Sequence, residues 1–515
     1  FPDSDGLVHK LPIPMELLAD DGSALRKLLL SQGLLMGSGR TARQLLIDFV
    51  MQSEPPQTAR LIKATGWTHD LASFVLPKAT IGKMDNEPLV LDWQAGRSPY
   101  SQMGTQEDCQ ELARLCLGNS RLIFSLCVAL AGPLLAVLKE NNCAFHLRGY
   151  SSSGKTTCLR LASSVWGGRD FTQTWRSTAN GLEGMCCKHN DTLLCLDELA
   201  EVDPREAFKA AYMLVNGTGK LRASRDGSAR TPRKWRAVIL STGEVNLSTH
   251  LSEGCQRVHT GQELRLLDLP ADTGSYGCFE DLHGSANGQD FAERVAKLVA
   301  STHGHIGPQF VSALVERLKD ACAAVEQLRK GLRDRYVGMT ASSQVRRAFN
   351  AFSLVAAAGE LAVTFGVLPW PEGTAAKAAM RLFEDWLQER GDAGLGEESV
   401  IVRQIRHFFE LHGESRFSPW EPSEYVRATP NRAGFRKEQS EGGHEYFVFR
   451  QVFRQEICKG LDQRLAAKIC LDKGWLQPGP NGEATRSERL PNTGKSTRVY
   501  RFTSKVLEEE IDEDV

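Results

Sequence analysis

The sequence predicts an α/β fold built on a parallel sheet, and three observations carry that expectation. From about Cys109 to Ser285, apolar strand-like runs alternate with helical patterns, as a parallel sheet with crossover helices requires. A loop framed by Gly149 and Gly154 stands between one such strand and one such helix. From about 286 to 396 the pattern turns almost wholly helical, over 291–300, 310–335, 345–363 and 374–390.

Length and composition bound what surrounds that core. At roughly 150 residues per domain, 515 residues predict about three to four domains. Hydrophobic residues make up 41% and charged residues 24%, which excludes a disordered or collagen-like chain. Lys and Arg number 62 against 63 Asp and Glu, a formal net charge of −1. The surface as a whole is therefore not basic, and any nucleic-acid site has to be a local patch, gathered by oligomerisation. The 13 cysteines are scattered without a CxxC pair, which excludes a disulfide framework or zinc ribbon and predicts reduced thiols in a cytoplasmic protein. His303 and His305 are close in sequence, but no HExxH occurs, so no resident metal cage is expected. The most apolar run, 122–138, falls short of the about 20 residues of a membrane span. Gly132-Pro133 interrupts it, so it reads as a buried helix and no membrane is expected. The chain opens Phe1-Pro2-Asp3 without Met, which leaves room for an upstream domain.

In chain order, residues 1–108 mix helical patterns at 24–35 and 41–51 with strand-like Phe74-Val75-Leu76 and Leu89-Val90-Leu91, a small α/β accessory domain. The core follows at 109–285. Within it, Gly149-Tyr150-Ser151-Ser152-Ser153-Gly154-Lys155-Thr156 fits GxxxxGK[ST], with an apolar strand before it and a helical pattern after it. Backbone N–H groups of such a loop and the helix N-terminus surround phosphate. Gly149, Ser152, Ser153, Gly154, Lys155, Thr156 and Thr157 are the candidate nucleotide-binding residues. Lys155 can reach the β- and γ-phosphates, and the Thr156 hydroxyl can ligate Mg²⁺. The plain alternative is an ordinary Gly-Ser turn.

Residues 192–198 form an uncharged run that ends in Asp197-Glu198, where a strand emerges at the ligand edge of an open α/β sheet. Asp197 is the candidate second Mg²⁺ ligand, directly or through water, and Glu198 the residue that polarises the attacking water. The alternative is a helix-capping acidic pair. A third strand, 235–240, ends at Ser241-Thr242-Gly243-Glu244. Thr242 or Ser241 can bridge the γ-phosphate and the lytic water, as sensor 1 does in AAA+ ATPases. A fourth strand, 264–269, starts with Arg265 beside it, where AAA+ rings carry an arginine that enters the neighbouring subunit's ATP. Arg257 is the second candidate, and a surface ion pair the plain alternative.

Between the second and third strands, residues 220–236 carry seven Lys or Arg and one Asp, a formal +6. Asp226-Gly227 is a tight-turn signal. A basic hairpin there lines the pore of a ring ATPase and meets the phosphates of a single strand through Lys220, Arg222, Arg225, Arg230 and Lys234. Otherwise the segment is a solvated charged loop or pairs with acids on a neighbour.

The remainder, 396–515, follows a linker at Gly391-Asp392-Ala393-Gly394. Helical patterns at 452–460 and 461–472, then Lys473-Gly474-Trp475-Leu476, a polar loop and a strand at 496–502 predict a helix-rich domain of winged-helix type. Arg486, Arg489, Lys495, Arg498 and Arg501 make its wing a DNA-contacting or a protein-contacting one. The end, Glu508 to Asp514, reads as a solvated acidic tail.

Several of these segments are specific. The run Arg148 to Thr156, Leu194-Cys195-Leu196-Asp197-Glu198-Leu199, Leu240-Ser241-Thr242-Gly243-Glu244 and 261–270 resemble the family called domain of unknown function 927. So do residues 352–362 and Val367-Leu368-Pro369-Trp370-Pro371, and the resemblance covers about residues 1 to 395. Members are similar to self-loading replicative helicases of mobile elements, AAA+ enzymes akin to minichromosome-maintenance proteins. The resemblance implies a P-loop ATPase core at 109–285, a helical lid at 286–395 and a hexameric ring. It further implies ATP and Mg²⁺ between subunits, single-stranded and forked DNA in the centre, and 3′ to 5′ movement. A sensor 2 arginine from the lid falls to Arg347, with Arg346 beside it. Longer relatives carry a primase-type domain, so a primase or an initiator is an expected partner. Two rivals stand beside this helicase: a protein-remodelling AAA+ ATPase, which favours an aromatic pore loop, and a nucleotide-switched DNA-binding initiator, which does not need an intact Lys155, Asp197 and Glu198.

Overall fold

Strands without charge have to be covered on both faces, and the chain is built around three of them. A computed structural model describes residues 1–508 apart from 10, 12, 14, 19–20, 55–58, 84–87, 92–97, 224–228, 231, 248, 251–265, 339–340, 391–395, 422–428, 440–441, 460 and 492–495. The chain divides into two units: Phe1–Gln256, Gln262–Asp334 and Asn350–Leu382 form one, and Arg335–Phe349 with Phe383 onward belong to the other.

In the first unit, helices α1 (Ser23–Ser31) and α2 (Arg40–Gln52) match the N-terminal helical patterns, and α1 supplies Leu25 and Leu29 to a small apolar cluster. Strands β1 (Arg60–Ile62) and β5 (Leu89–Leu91) pair in parallel, while β2 (Gly66–Trp67), β3 (Ser73–Val75) and β4 (Thr80–Gly82) form an antiparallel sheet. Helix α3 (Gln106–Arg114) starts on a capping box between Thr105 and Asp108. The central sheet follows, from β6 (Cys143–Arg148), β7 (Thr172–Thr174), β8 (Thr192–Asp197), β11 (Ala237–Gly243) and β12 (Leu267–Pro270). Its order is β12-β6-β11-β8-β7 and every pair is parallel, so all five strands end at one edge. Helices α5 (Lys155–Ser164), α6 (Ala179–Lys188) and α7 (Pro204–Asn216) connect its strands, and between β8 and β11, β9 (Arg222–Ala223) and β10 (Ala229–Arg230) pair as an antiparallel hairpin.

The apolar run 122–138 lies, up to its last residue, in helix α4 (Ser120–Val137), which is long and apolar enough to cross a membrane yet is 89% buried inside the protein. Gly132-Pro133 does not interrupt it, contrary to the expectation from sequence. Pro133 has no N–H to give the carbonyl four residues back, and that carbonyl, Ala129 O, accepts from Trp166 Nε1 at 2.8 Å. The carbonyl of Pro133 itself accepts from Trp67 Nε1 of the antiparallel sheet at 2.8 Å. Gly132 lets the helix touch β8, since a Cβ there would stand 2.4 Å from Thr192 O. Trp67→Phe removes the donor together with part of the buried indole's volume, so it should cost at least about 1–3 kcal/mol of unfolding free energy. Gly132→Ala should cost at least as much by overpacking. Denaturant titration of each variant measures both.

The helical part continues as α8 (Gly288–Ser301), α9 (Ile306–Glu316), α10 (Leu318–Tyr336), α11 (Ser343–Thr364) and α12 (Thr374–Arg390). The single pattern at 310–335 is thus two helices, parted at Arg317. Phe352 packs against Phe124 and Phe145, and Gly359 leaves room for Cys127, whose Sγ would lie 2.4 Å from an added Cβ.

The second unit contains α13 (Gly396–His412), α14 (Gln463–Asp472) and a five-stranded sheet. Strands β13 (Phe417–Pro419), β14 (Gly434–Glu438), β15 (His444–Phe449), β16 (Arg486–Arg489) and β17 (Ser496–Phe502) run in the order β13-β14-β15-β17-β16. Only the terminal hairpin was expected. The missed signal is Tyr446-Phe447-Val448-Phe449, aromatic and β-branched, with Tyr446 buried beside Phe409 and Phe417.

Candidate active site

Strand β6 stays buried until Arg148, and the chain then turns through Gly149 into α5 (Lys155–Ser164). Gly149 N donates to Gly243 O at 3.2 Å, which seats the loop on the end of β11. Ser152 (φ 62°) and Gly154 (φ 94°) both adopt left-handed backbone. A Cβ at Gly154 would meet the Phe279 ring at 2.7 Å, so that position is closed to side chains on both counts. Lys155 is 7% exposed, and its Nζ donates to the carbonyls of Gly149 (2.7 Å) and Tyr150 (2.6 Å). Thr156 is half-buried and Thr157 buried on the first turn of α5.

The stretch after β12 braces this loop, and sequence reasoning missed it. Cys278 N donates to Ser153 O at 2.7 Å, and Gly277 lies so close that a Cβ would stand 2.4 Å from the same oxygen. The brace is itself held by α4. Buried Arg121 donates to Pro270 O at 3.0 and 3.2 Å, and Ser120 Oγ donates to Glu280 at 3.0 Å. Arg381 pairs with the same Glu280 at 2.6 Å. Gly277-Cys278-Phe279 after a strand was the available signal.

Asp197 is the last residue of β8, and Thr242 Oγ1 donates to its Oδ1. Of the two sensor candidates, Thr242 is therefore the one beside the carboxylate. Ser241 is instead wholly buried, with its Oγ 2.8 Å from Trp175 Nε1 and 2.9 Å from His146 Nδ1. Glu198 follows Asp197 with left-handed backbone (φ 59°, ψ 78°) and is half-buried. Burial first, then the charges of Asp197 and Glu244, raise its carboxyl above the ordinary value, and Lys155 pulls the other way.

The basic candidates divide. Lys220 and Lys234 are exposed at the base of the β9–β10 hairpin. Gly219 N to Arg233 O (2.8 Å) and Trp235 N to Gly217 O (3.0 Å) close that base. The side chains of Arg222 and Arg230, and all of Arg225, lie outside the described residues, as do Arg257 and Arg265. Arg236, counted in the +6 excess, is taken up by wholly buried Asp191 at 2.6 Å. Arg347 is exposed near the start of α11, in the second unit. In the C-terminal sheet, Arg501 pairs with Glu445 (2.8 Å), Arg498 with Glu483 (3.3 Å) and Arg486 with Glu488 (3.4 Å), whereas Arg489 is exposed.

Residues 1–234 match the family described as "Domain of unknown function (DUF927)", which bears out the resemblance over that stretch. No curated protein matches the sequence. Among solved structures the chain is similar to "SCCmec type IV Cch - active helicase", with a TM-score of 0.68 and 15% identity, over 96% of this chain and 89% of that one. The two share a fold of mixed α/β type. NtrX from Brucella abortus in complex with ADP overlaps at a TM-score of 0.18 and 16% identity, over 53% of this chain and 59% of that one, and carries no argument.

Proposed function

We propose that the chain is an ATP-hydrolysing DNA helicase of the AAA+ class that serves replication of a mobile genetic element. The observation that carries this is the grouping of Lys155, Asp197, Glu198 and Thr242 at the ends of three adjacent parallel strands, β6, β8 and β11. The fold shared with a helicase of SCCmec supports the DNA-moving part.

The residues fit a nucleoside triphosphate. Gly149 and Gly154 leave no room for a side chain at the two ends of the loop, and Lys155 supplies a buried cation. Mg²⁺ fits Thr156 and Asp197, because it binds through one or two carboxylates or hydroxyls plus phosphate oxygens rather than a protein cage. Among the described residues no group of three or more His, Cys, Asp or Glu side chains forms such a cage. When bound, the ion offsets charge between the β- and γ-phosphates. Lys155 holds the phosphates. Thr242 keeps the Asp197 carboxylate in one orientation. Glu198 orients a water against the γ-phosphate and takes its proton, a task favoured by a raised pKa.

The finer assignments follow this reading. Residues 1–108 are the accessory domain, 109–285 the AAA+ core, 286–395 the lid and 396–515 a winged helix. Six copies form a ring in which Arg265 or Arg257 reaches the neighbour's ATP and Arg347 acts as sensor 2. The basic hairpin grips single-stranded DNA at a fork and moves 3′ to 5′, with a primase or an initiator as partner. One observation favours a protein-contacting wing: three of its arginines are engaged by carboxylates of their own unit.

The deciding experiment is ATPase activity of the purified chain with and without single-stranded DNA. Stimulation of at least about tenfold is expected. No hydrolysis, or hydrolysis indifferent to DNA and accelerated by unfolded protein, overturns the helicase reading.

A further inference from the structure

The β11–β8 ladder ends at Ser241↔Leu196, one residue short of the pair that matters, Thr242 and Asp197. On the other side β11 stays paired with β6 as far as Gly243↔Arg148. Beyond Ser241, then, the recorded backbone pairing holds β11 to the phosphate-loop strand and not to the carboxylate strand. A side-chain path spans the difference. Trp175 N donates to the carbonyl of Asp197 at 3.1 Å, and its indole Nε1 donates to Ser241 Oγ at 2.8 Å. Ser241 Oγ lies 2.9 Å from His146 Nδ1, and His146 Nε2 lies 3.0 Å from Val245 O.

Chemistry fixes the direction of every bond on that path. A carbonyl only accepts, so Nε2 carries the ring proton and Nδ1 is the acceptor. The Ser241 hydroxyl therefore donates to His146 while it accepts from Trp175. Trp175, Ser241 and His146 are each 0% exposed. Burial above all lowers the imidazole to about pH 4, with Arg148 and Lys155 acting the same way, so the ring is neutral at working pH and the polarity of the path is fixed. Together with the Thr242–Asp197 bond, the path from Asp197 through Trp175 to Ser241 closes a ring around the strand end.

We propose that Trp175, Ser241 and His146 are positioning residues for ATP hydrolysis, which hold the end of β11 so that Thr242 stays on Asp197. His146 adds the far anchor, tying the turn after β11 through Val245 to the strand that feeds the phosphate loop. The inference rests on the ATPase reading above and names residues that act through Thr242 rather than on the nucleotide.

The test is a double-mutant cycle between Trp175→Phe and Thr242→Ala, read by steady-state ATPase and by binding of a fluorescent ATP analogue. Trp175→Phe deletes the N–H donor together with the five-membered part of the indole, so Ser241→Ala, which removes a single oxygen from the same path, is measured beside it. Its kcat is expected to fall about tenfold while the analogue's Kd stays within about twofold. In the Thr242→Ala background the same change should cost nothing further, because both remove one interaction. Ser241→Ala breaks the path at another point, should Trp175→Phe melt below the assay temperature, and Ser241→Thr, which keeps the hydroxyl, should restore activity. A parental kcat for Trp175→Phe and Ser241→Ala, or losses that multiply with Thr242→Ala, overturn the proposal and leave these residues as packing. A parent chain that hydrolyses no ATP sinks the underlying reading instead, and is told apart by the first assay.

Discussion

Glu198→Gln should stop turnover while ATP stays bound, with kcat reduced at least about a hundredfold, the usual scale for losing a general base. The amide matches the carboxylate in size and still hydrogen-bonds a water, but it takes no proton. Nucleotide affinity should be kept, because Lys155 and the loop are untouched. Lys155→Ala should fail one step earlier, in binding. The same glutamate gives a second readout. Its folded-state pKa is raised, so ionising it is harder in the folded than in the unfolded chain. The stability linked to its proton is present below the unfolded pKa and lost as pH rises through the folded value. Glu198→Gln should therefore melt higher than the parent at pH 7 to 8, and the gap should close on acidification into the ordinary glutamate range. Parental turnover in Glu198→Gln would falsify the assignment of this strand end.

The second large effect concerns the basic hairpin. Replacing Lys220, Arg222 and Arg225 with Ala should remove about three phosphate contacts and lower the slope of log affinity against log salt by about 2, at roughly 0.7 per contact on a single strand. Basal ATPase should survive, since Lys155, Asp197 and Glu198 are intact. Unwinding should fail, because hydrolysis is no longer coupled to a grip. If these cations instead balance acids across a subunit boundary, oligomers and ATPase are lost together and the slope of the remaining rings does not change. DNA affinity against salt, measured beside oligomeric mass, separates the two.

What was legible in the sequence, and what was not, follows from the range of the signals. The phosphate loop and the Asp197-Glu198 strand end are local patterns, each set by a few consecutive residues, and they fall on β6, α5 and β8 as expected. Thr242 and Ser241 could not be separated, because neighbours on a strand face opposite ways and only the register decides which one meets Asp197. Arg236 counted toward the basic excess because charge is visible in sequence and its buried partner Asp191, 45 residues earlier, is not. The brace at 271–280, whose bonds join β12, the phosphate loop and α4, and the path through Trp175, which joins β8, β11 and β6, are both long-range by nature. Pro133 misled for a related reason: a helix breaker is harmless where another segment supplies the missing donor, and Trp166 lies 37 residues beyond Ala129, whose carbonyl it reaches.

Helix α4 also sets an order of events for a growing polypeptide. Trp67 leaves the ribosome before the helix, and Thr192, against which Gly132 lies, leaves well after it. At about 5–20 residues per second the interval from Val137 to Thr192 lasts roughly 3–11 s. During that time the most water-averse stretch of the chain waits for its strand with one indole already at hand to mask the carbonyl of Pro133. The N-terminal sheet is thus synthesised before a helix that is long and apolar enough to cross a membrane. A version trimmed between the N-terminal sheet and α4 would leave that helix uncovered and aggregate, although every residue of the ATP site remained.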